Sequence, residues 1–446
     1  MVLWFDDEDN ETITSKEQCM CEINCAALLG SSISSSTSSG TSSGDSNVVI
    51  DSDPDDDSND DNDKKELVRE KHVRYLIAAL RGLSSGFVTL DASRPWICYW
   101  VTHALHLLES DPIDVYPHLI RTLSLMQNST GGFGGNIKQE SHCAPTYASV
   151  LCLCTIGTKE ALDSINRTML HDFFLTMKVW MKDGGRNYAG FCMHKDGEVD
   201  CRGTYTVLAV ARLLNILTPE LVDGVADFIL ACATYEGGFG GEPGNEAHGG
   251  YNFCAIAGLL ILGEKAYSRM DLDAQEYWLM RRQMQVEGGF QGRTNKLVDA
   301  CYSFWQGASA SIVNIMRNKG TDTSDLIKWR QRAENGAQTE YYLSKVHDSD
   351  GKLSFNQKKL QKYIIRCGQS EGGGLRDKPG KSRDYYHSCY ALSGLSVAQW
   401  SSDADNDFNV AYVYGDASNI VLPTSVVFNI GLDKLDSVFK YFHDES

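Results

Sequence analysis

A glycine-rich motif recurs along the chain and constrains its fold more than any other sequence feature. Gly-Phe pairs place the aromatic residue at Phe87, Phe133, Phe191, Phe239 and Phe290, and Gly372-Gly373-Gly374 forms a sixth copy without the Phe. The intervals between the Phe copies are 46 to 58 residues, which leaves room for two helices and two loops. Such self-similarity predicts a repeat architecture in which each repeat packs against its neighbours.

Each copy of the motif precedes a segment with helical periodicity and an aromatic residue near its start. This residue lies 12 positions after the motif at Tyr99, Tyr251, Tyr302 and Tyr386, and 14 positions after it at Tyr147 and Tyr205. Because strand signals are weak, six helix pairs joined by glycine turns predict an all-α fold, a closed or curved helical array. In such an array, residues that follow different glycine turns converge at one end.

The first 66 residues differ sharply in composition from the rest of the chain. They carry 17 acidic and 3 basic side chains, whereas the remainder has a net charge of only −4 out of a total of −18. A serine run at 31–46 leads into an acidic run at 51–63, and such segments bury too little apolar surface to fold. A solvated tail explains the acidic run better than a metal or partner site. We therefore predict a disordered tail over residues 1–66, with order beginning near Leu67, and one domain over 67–446.

Composition also excludes several classes of protein. The body of the chain lacks the basic excess that nucleic-acid binding requires. No apolar run is long enough to span a membrane, and the acidic N-terminus does not have the form of a secretory signal. Fourteen cysteines without even spacing indicate reduced thiols, which predicts a cytoplasmic location.

The residues after the fifth and sixth glycine turns are capable of metal chemistry. Asp299 and Cys301 follow the fifth turn, and His387 follows the sixth. All three are competent zinc ligands, and three protein ligands leave a fourth position open for a substrate. Residues two apart do not share a face of a regular helix, so Asp299 and Cys301 can share a metal only where a loop enters a helix. A buried cysteine and a structural histidine are the alternative interpretation, and the repeat equivalence strengthens the case for a metal centre without excluding that alternative.

Cations and aromatic residues surround these positions. Arg293, Lys296 and Lys381 form either a solvated basic face or an anion pocket, since Arg and Lys both suit phosphate oxygens. The aromatic residues of the earlier repeats either pack in the core or line a cavity. A cavity with an aromatic wall, a cationic rim and a metal suits a long apolar substrate with a phosphate head.

Long stretches of the chain also form recognisable motifs. They are Leu90–Trp96, Glu246–Tyr251, Gly288–Arg293, Asn295–Gln306, Asp377–Asp384 and Phe428–Gly431. In this order and at this length the motifs resemble the protein prenyltransferase family, in particular its farnesyltransferase β subunits. The resemblance runs from about residue 67 to the C-terminus, and it implies an α-α toroid of six helix pairs that forms an obligate heterodimer with an α subunit.

The resemblance also implies a reaction and a catalytic Zn²⁺ held by Asp299, Cys301 and His387. The open zinc position is expected to take the cysteine thiol of a C-terminal C-a-a-X protein as a thiolate. That thiolate is expected to attack C1 of farnesyl diphosphate and form a thioether. Tyr302 is expected to act with these ligands as a catalytic residue.

Further site residues are carried over from the same motifs. The residues expected to hold the diphosphate are His248, Arg293, Lys296 and Tyr302, which stabilise charge on the leaving group. Asp377 resembles the carboxylate that positions Mg²⁺ against the diphosphate. The isoprenoid is expected to lie along Trp305, Tyr251, Tyr205, Arg202 and Cys254. The residues expected to shape the cavity around the peptide and the end of the isoprenoid are Trp96, Trp100 and Tyr386.

Three other functions remain as alternatives. A geranylgeranyltransferase β subunit needs a deeper pocket for a longer lipid, and the position of Trp96 is small in those enzymes, so the bulky Trp96 favours farnesyl. A terpene cyclase would need an acidic motif inside the cavity, whereas the dense Asp run lies in the tail. A non-catalytic helical scaffold would have no reason to retain Asp299, Cys301 and His387 together.

The sequence departs from the family pattern in three places besides the tail. The stretch from about Arg317 to Gln369 is longer than expected and indicates an insertion, with a predicted turn at Asp348–Gly351. Cys201 and Thr206 change the pattern around Arg202.

Overall fold

The computed structural model describes residues 12–30, 33–34, 49–50, 66–183, 185–317, 353–402, 408–410 and 412–443. In chain order its α-helices are α1 (Ile13–Leu29), α2 (Arg69–Arg81), α3 (Arg94–Leu107), α4 (Tyr116–Ser124), α5 (Cys143–Ile156), α6 (Lys159–Asp163), α7 (Arg167–Met177), α8 (Cys201–Leu213), α9 (Pro219–Val222), α10 (Val225–Ala231), α11 (Gly249–Leu262), α12 (Glu264–Tyr267), α13 (Leu272–Met280), α14 (Tyr302–Arg317), α15 (Gln357–Tyr363), α16 (Tyr385–Gln399) and α17 (Leu432–His443).

Short strands and irregular helical turns complete the described structure. The antiparallel strand pairs are β1 (Ile33–Ser34) with β2 (Val49–Ile50), β3 (Lys178–Asp183) with β4 (Arg186–Phe191), β5 (Leu375–Arg376) with β6 (Arg383–Asp384), and β7 (Trp400–Ser402) with β8 (Phe408–Val410). Residues 85–93 and 417–419 form 3₁₀ turns, and residues 364–368 form a π-helical turn. Among the described helices, none is both long and apolar enough to cross a bilayer.

Six helices form a closed inner ring. In chain order α3, α5, α8, α11, α14 and α16 each pack against the next, and α16 packs back against α3. Helices α2, α4, α10, α13 and α15 each pack on the outside of one inner helix, and α17 covers α5 and α8. The inner helices are buried on nearly every side, which is why their sequences are apolar all round. The predicted α-α toroid is therefore confirmed.

In four repeats the apolar residue at the end of the glycine turn forms a hydrogen bond with the next inner helix. The backbone N–H of Phe239 donates a hydrogen bond to Oδ1 of Asn252 at 3.1 Å, across a separation of 13 residues. The N–H of Leu375 donates to Oγ of Ser388 at 2.9 Å across the same separation. Leu375 therefore takes the place of the Phe in the sixth repeat.

This equivalence corrects the register of the sixth copy. The sequence register placed the end of the motif at Gly374 and made Tyr386 the counterpart of Tyr302. With Leu375 in the Phe position, the residue 12 positions on is His387, and Tyr386 lies one position earlier. The sequence register was wrong by one residue because Leu replaces the aromatic side chain that marks the other copies.

Neighbouring repeats are joined through their backbones at the starts of the inner helices. The N–H of Gly249 donates to the carbonyl of Gly292 on the following turn at 2.8 Å. In the same way, the N–H of Ala300 donates to the carbonyl of Asp377 at 2.9 Å. The contact places Asp377, which follows the sixth glycine turn, over the start of the fifth inner helix.

The ring closes between the sixth and first repeats at Gly373. Its φ is +81°, and a Cβ atom there would lie 2.1 Å from the carbonyl oxygen of Lys71 in α2. Glycine alone tolerates both the left-handed conformation and this close approach. Beside it, the N–H of Gly374 donates to Nδ1 of the buried His72 at 2.8 Å.

The C-terminal segment crosses the inner face of the ring. The hydroxyl of Tyr205 donates to the carbonyl of Val427 at 2.7 Å, and that of Tyr99 donates to the carbonyl of Asn429 at 2.6 Å. Asn429 adopts a left-handed conformation with φ of +53°. These two bonds hold residues 427–429 against helices α8 and α3.

The prediction of a disordered tail over residues 1–66 is wrong for α1. Thr12 caps the N-terminus of this helix through its side chain, and Gly30 ends it in a left-handed conformation. The helix buries Cys21, Cys25, Ala26 and Leu29 and packs against α15 and the π-helical turn. The low-complexity composition begins only at Ser31, so the argument from composition did not apply to the residues before it. The acidic run at 51–63 and the predicted turn at 348–351 lie outside the described residues.

Candidate metal centre and substrate cavity

The metal centre begins with the N-terminal cap of α14. Helix α14 starts at Tyr302, so Asp299 and Cys301 lie in the loop that enters it, as the two-residue spacing requires. Oδ1 of Asp299 accepts a hydrogen bond from the N–H of Cys301 at 2.9 Å. The cap fixes the carboxylate of Asp299 beside the thiol of Cys301, because a capping side chain folds back over the first turn.

His387 approaches these two residues from the next inner helix. Its Nε2 atom lies 3.2 Å from Oδ1 of Asp299. One ligand atom from each of Asp299, Cys301 and His387 lies within 4.8 Å of the others. Ligands of a tetrahedral zinc ion stand about 3.4 Å apart, so a small adjustment of side chains suffices to bind one. The donor set of oxygen, sulfur and nitrogen fits zinc and leaves room for a fourth ligand.

The imidazole of His387 is oriented by a carboxylate. Asp384 caps α16 by accepting from the N–H of His387 at 2.7 Å, and its other oxygen contacts Nδ1 of the same residue at 2.6 Å. This contact leaves Nε2 directed at the metal position. A carboxylate on the far nitrogen is the usual support for a metal-binding histidine.

The pKa values of Asp299, Cys301 and His387 depend on their burial and on their charged neighbours. Burial lowers the pKa of His387, but hydrogen bonds and charge attraction with Asp299 and Asp384 outweigh it and raise that pKa to about 9. Burial likewise opposes ionisation of Asp299, and its contacts with His387 overcome this and lower its pKa. Burial and the charge of Asp299 raise the pKa of the Cys301 thiol, so a nearby cation is needed to hold it as a thiolate.

Tyr302 and His248 meet on the side of the cavity next to this centre. The hydroxyl of Tyr302 lies 3.0 Å from Nε2 of His248, whose Nδ1 accepts from the N–H of Gly250 as the cap of α11. Burial and the charge of Arg293 lower the pKa of His248, which favours a neutral ring. Gly292 makes this contact possible, since a Cβ atom there would lie 2.1 Å from the Tyr302 ring.

The cationic rim that the sequence predicts consists of side chains in contact with solvent. Nη1 of Arg293 pairs with Glu246 at 2.8 Å, and both side chains are close to half exposed. Lys296 and Lys381 are exposed. The rim therefore presents hydrated cations rather than a preformed buried anion site.

Asp377 lies next to the metal centre, because its carbonyl accepts a hydrogen bond from the N–H of Ala300. Burial and the charge of Asp299 raise its pKa. Its side chain forms an ion pair with Lys378. Mg²⁺ usually binds through one or two carboxylates together with substrate phosphates, so a single carboxylate beside the rim fits that ion.

Aromatic side chains form a continuous belt around the inside of the ring. Trp100 contacts Trp96, and the contacts then continue through Tyr147, Tyr205, Phe253, Trp305, Tyr390 and Tyr386 back to Trp100. Successive ring centroids are 4.3 to 5.8 Å apart. Every inner helix contributes to this belt, so it forms an apolar wall suited to a long hydrocarbon chain.

Sequence reasoning missed two members of the belt. Phe253 and Tyr390 lie in α11 and α16, where Phe253 contacts Trp305 at 5.1 Å and Tyr390 contacts it at 4.3 Å. Tyr390 lies four residues after Tyr386 and so shares its helix face, which the spacing could have shown.

Arg202, Tyr251 and Cys254 lie on the same wall towards the rim. The guanidinium carbon of Arg202 lies 5.4 Å from the centroid of the Tyr251 ring, and its nitrogens pair with Asp200 at 2.6 Å. Cys254 is buried, and burial raises its thiol pKa, which makes it a neutral apolar surface.

Comparisons with known proteins agree with this arrangement. Residues 67–430 match the family described as the prenyltransferase alpha-alpha toroid domain. The chain is 40% identical over 415 residues to the protein farnesyltransferase subunit beta of Arabidopsis thaliana, covering 84% of this chain and 83% of that protein. It is 41% identical over 382 residues to the same subunit of Pisum sativum, covering 78% of this chain and 89% of that protein.

A solved structure shares the fold. The Candida albicans protein geranylgeranyltransferase-I complexed with GGPP aligns with a TM-score of 0.61 and 20% identity, covering 84% of this chain and 99% of that chain. At this identity the likeness concerns the fold alone.

Proposed function

The chain belongs to the prenyltransferase α-α toroid family, as a relative of the protein farnesyltransferase β subunits, and from this premise we propose that it carries the active site for farnesyl transfer to protein cysteines. Its membership makes it an enzyme subunit of the protein prenyltransferase class. The proposal adds the lipid, the acceptor and the metal. The donor would be farnesyl diphosphate and the acceptor the cysteine of a C-terminal C-a-a-X sequence.

One observation carries the proposal above the others. Asp299, Cys301 and His387 come from two different repeats, and their ligand atoms converge within 4.8 Å. When bound there, zinc would supply a Lewis acid that lowers the pKa of an incoming cysteine thiol. Neither a helical scaffold nor a terpene cyclase requires this donor set at the cavity wall.

The chain's own residues would bind and orient the two substrates. The aromatic belt would hold the farnesyl chain along Trp305, Tyr251 and Tyr205. The hydroxyl of Tyr302 and the Nε2 of His248, together with Arg293 and Lys296 at the rim, would donate hydrogen bonds to the departing diphosphate. Such donors act where negative charge develops as the C1–oxygen bond breaks, and stabilise it more than in the substrate.

In the proposed transfer, the metal centre would hold the acceptor sulfur and the rim would hold the departing diphosphate. The acceptor sulfur would form a new bond to C1, while the electrons of the breaking C1–oxygen bond leave with the diphosphate. Asp299 and Asp384 keep His387 oriented. The aromatic belt would exclude water from the reacting carbon. Exclusion of water favours thioether formation over hydrolysis.

Trp96 supports the fifteen-carbon lipid over a longer one. Its ring lies 5.5 Å from Trp100 and 5.8 Å from Tyr147, so the far part of the belt is filled with aromatic carbon. A geranylgeranyl chain is one isoprene unit longer and would need this volume. For this reason a geranylgeranyltransferase β subunit ranks second among the candidate functions.

We further propose an α subunit as an obligate partner, by analogy with the relatives named as β subunits. The catalytic domain would span residues 67–446. All fourteen cysteines are free, which supports a reducing compartment such as the cytoplasm.

Co-expression with an α subunit tests the proposed function directly. Zinc content and transfer from farnesyl diphosphate to a C-a-a-X peptide would be measured for the wild-type protein and Cys301→Ala. We expect about one zinc ion per β subunit and turnover in the wild type, with both lost in the variant. Cys143→Ala, a buried cysteine away from the metal centre, is the matched control. A Cys301→Ala protein with full zinc and turnover would contradict the proposal.

A further inference from the structure

The carboxylate of Asp377 already has a cation beside it. Nζ of Lys378 forms an ion pair with the two carboxylate oxygens of Asp377. The side chain of Lys378 is only 12% exposed and that of Asp377 only 19% exposed. Salt and water weaken a shielded pair less than a surface pair. The carboxylate proposed to bind Mg²⁺ is thus already paired with a cation of the chain itself.

The backbone of Asp377 is held in place from two sides. Its carbonyl accepts from the N–H of Ala300 at 2.9 Å and from the hydroxyl of Tyr363 at 2.9 Å. Tyr363 is fully buried. These two bonds hold the carbonyl of Asp377, so its side chain can exchange partners while the backbone stays in place.

The surrounding charges explain why this carboxylate keeps a cation. Asp377 is close enough to Asp299 for the two negative charges to repel, and His387 offsets part of that repulsion. The side chain of Lys378 is largely shielded from solvent, and no other carboxylate is paired with it among the described residues.

We propose that Lys378 is a resident counter-cation which a divalent ion must displace from Asp377, and that it thereby sets the Mg²⁺ concentration the enzyme requires. This inference depends on the proposed function at one point only, which is that the diphosphate is the second ligand of the divalent ion. Binding is an exchange in which the ammonium leaves the carboxylate and the divalent ion gains one carboxylate oxygen. Mg²⁺ gives up its water reluctantly, so a competing ion pair weakens its binding further.

Titration of the zinc-saturated αβ complex with Mn²⁺, a paramagnetic substitute for Mg²⁺, tests this competition without turnover. Lys378→Met keeps most of the side-chain volume and removes the charge, and we expect Mn²⁺ to bind about tenfold more tightly to it, as detected by electron paramagnetic resonance. Lys378→Arg keeps the charge and should bind Mn²⁺ as the wild type does. Lys71→Met, an exposed lysine of α2, is the matched control.

A double-mutant cycle with Asp377→Asn isolates the pair. In the Asp377→Asn background, adding Lys378→Met should change Mn²⁺ affinity by less than about twofold, because the competing partner is gone. Thermal unfolding and zinc content would establish that each variant is folded. Unchanged Mn²⁺ affinity in folded Lys378→Met would overturn the proposal.

A second titration, with farnesyl diphosphate bound and no acceptor peptide, distinguishes failure of the inference about Lys378 from failure of the proposed function. The same tightening of Mn²⁺ binding is expected there. If Lys378→Met instead weakened binding of farnesyl diphosphate in the absence of a divalent ion, Lys378 would be a phosphate ligand and the proposal would be overturned. Failure of the proposed function would appear separately, as absence of prenyl transfer by the wild type, since the first titration needs no lipid.

Discussion

The carboxylate of Asp384 contacts Nδ1 of His387 at 2.6 Å, while Nε2 of the same ring lies 3.2 Å from Asp299. Asp384 thus does two things at once, because its other oxygen caps the helix that carries His387. The metal ligand and its support are three residues apart, so the helix start itself determines their geometry.

Asp384→Asn should weaken zinc binding without unfolding α16. An asparagine oxygen still caps the helix, but it no longer holds Nδ1 of His387 with a charged acceptor. Loss of such a support typically costs about 10- to 100-fold in metal affinity, and we expect that range in competition with a chelator. Asp416→Asn, another capping aspartate far from the centre, should leave zinc affinity unchanged. Equal zinc affinity in wild type and Asp384→Asn would refute a supporting role.

Gly292→Ala should disturb the reaction while leaving the metal in place. The added methyl group would lie 2.1 Å from the Tyr302 ring and push the hydroxyl away from His248. We expect kcat/KM for farnesyl transfer to fall by about tenfold or more, because one donor to the diphosphate is lost. Gly82→Ala, where nothing lies within 4 Å of the new atom, is the control. Normal kcat/KM in Gly292→Ala would show that Tyr302 does not contact the leaving group.

Trp96→Thr should extend the cavity and relax the choice of lipid. The substitution removes the ring that contacts Trp100 and Tyr147, which frees volume at the far end of the belt. The ratio of kcat/KM for geranylgeranyl over farnesyl diphosphate should rise by about tenfold or more in a competition assay. Trp180→Thr, a half-exposed tryptophan on β3, should leave the ratio unchanged. If wild type already preferred the longer lipid, Trp96 would not be the determinant.

His106→Gln should destabilise the protein at low pH more than at high pH. His106 is buried and lies 3.0 Å from Asp433 and 3.2 Å from Asp111. Burial lowers its pKa, and the two carboxylates outweigh burial and raise that pKa to about 9. Because the folded pKa exceeds the unfolded value of about 6.5, the stabilisation is complete below pH 6.5 and disappears as pH rises through 9.

His106→Gln should lower the free energy of unfolding by about 2–3 kcal/mol at pH 6. Above about pH 9.5, loss of the contacts of His106 with the two carboxylates should change it by close to zero. Denaturant unfolding at the two pH values would measure it, with the exposed His118→Gln as control. A loss that did not depend on pH would mean that His106 acts through packing alone.

Deletion of residues 1–30 should expose a surface on the sixth repeat. Helix α1 contacts the buried Cys367, whose Sγ lies 4.0 Å from the carbonyl oxygen of Cys25. Gln18 of the same helix donates to the buried Glu287 at 3.0 Å. We expect Cys367 to react with a maleimide under native conditions and the Tm to fall by several degrees. Deletion of residues 1–11 alone, which precede the helix, should do neither. Continued protection of Cys367 after the longer deletion would show that α1 does not shield it.

The repeat and the family motifs made much of the fold and site predictable. The glycine turns predicted six helix pairs, and the two-residue spacing of Asp299 and Cys301 predicted a loop entering a helix. The described residues show the closed ring of six inner helices and the loop that enters α14. The errors arose where the pattern was broken, because Leu375 replaces a Phe and shifts the sixth register, and because α1 precedes the low-complexity run that suggested disorder.

The sequence by itself determined the helical repeats, the donor types at their starts and the chemistry that those donors favour. These properties depend on short spacings along one chain, which local hydrogen bonding and apolar periodicity control. Only the tertiary structure decided which side chains meet. Closure of the ring brings His387 to Asp299, joins the aromatic residues into one belt, and holds Asp377 over the start of α14 with Lys378 beside it. Such contacts depend on how the repeats curve and close, and no local spacing encodes that curvature.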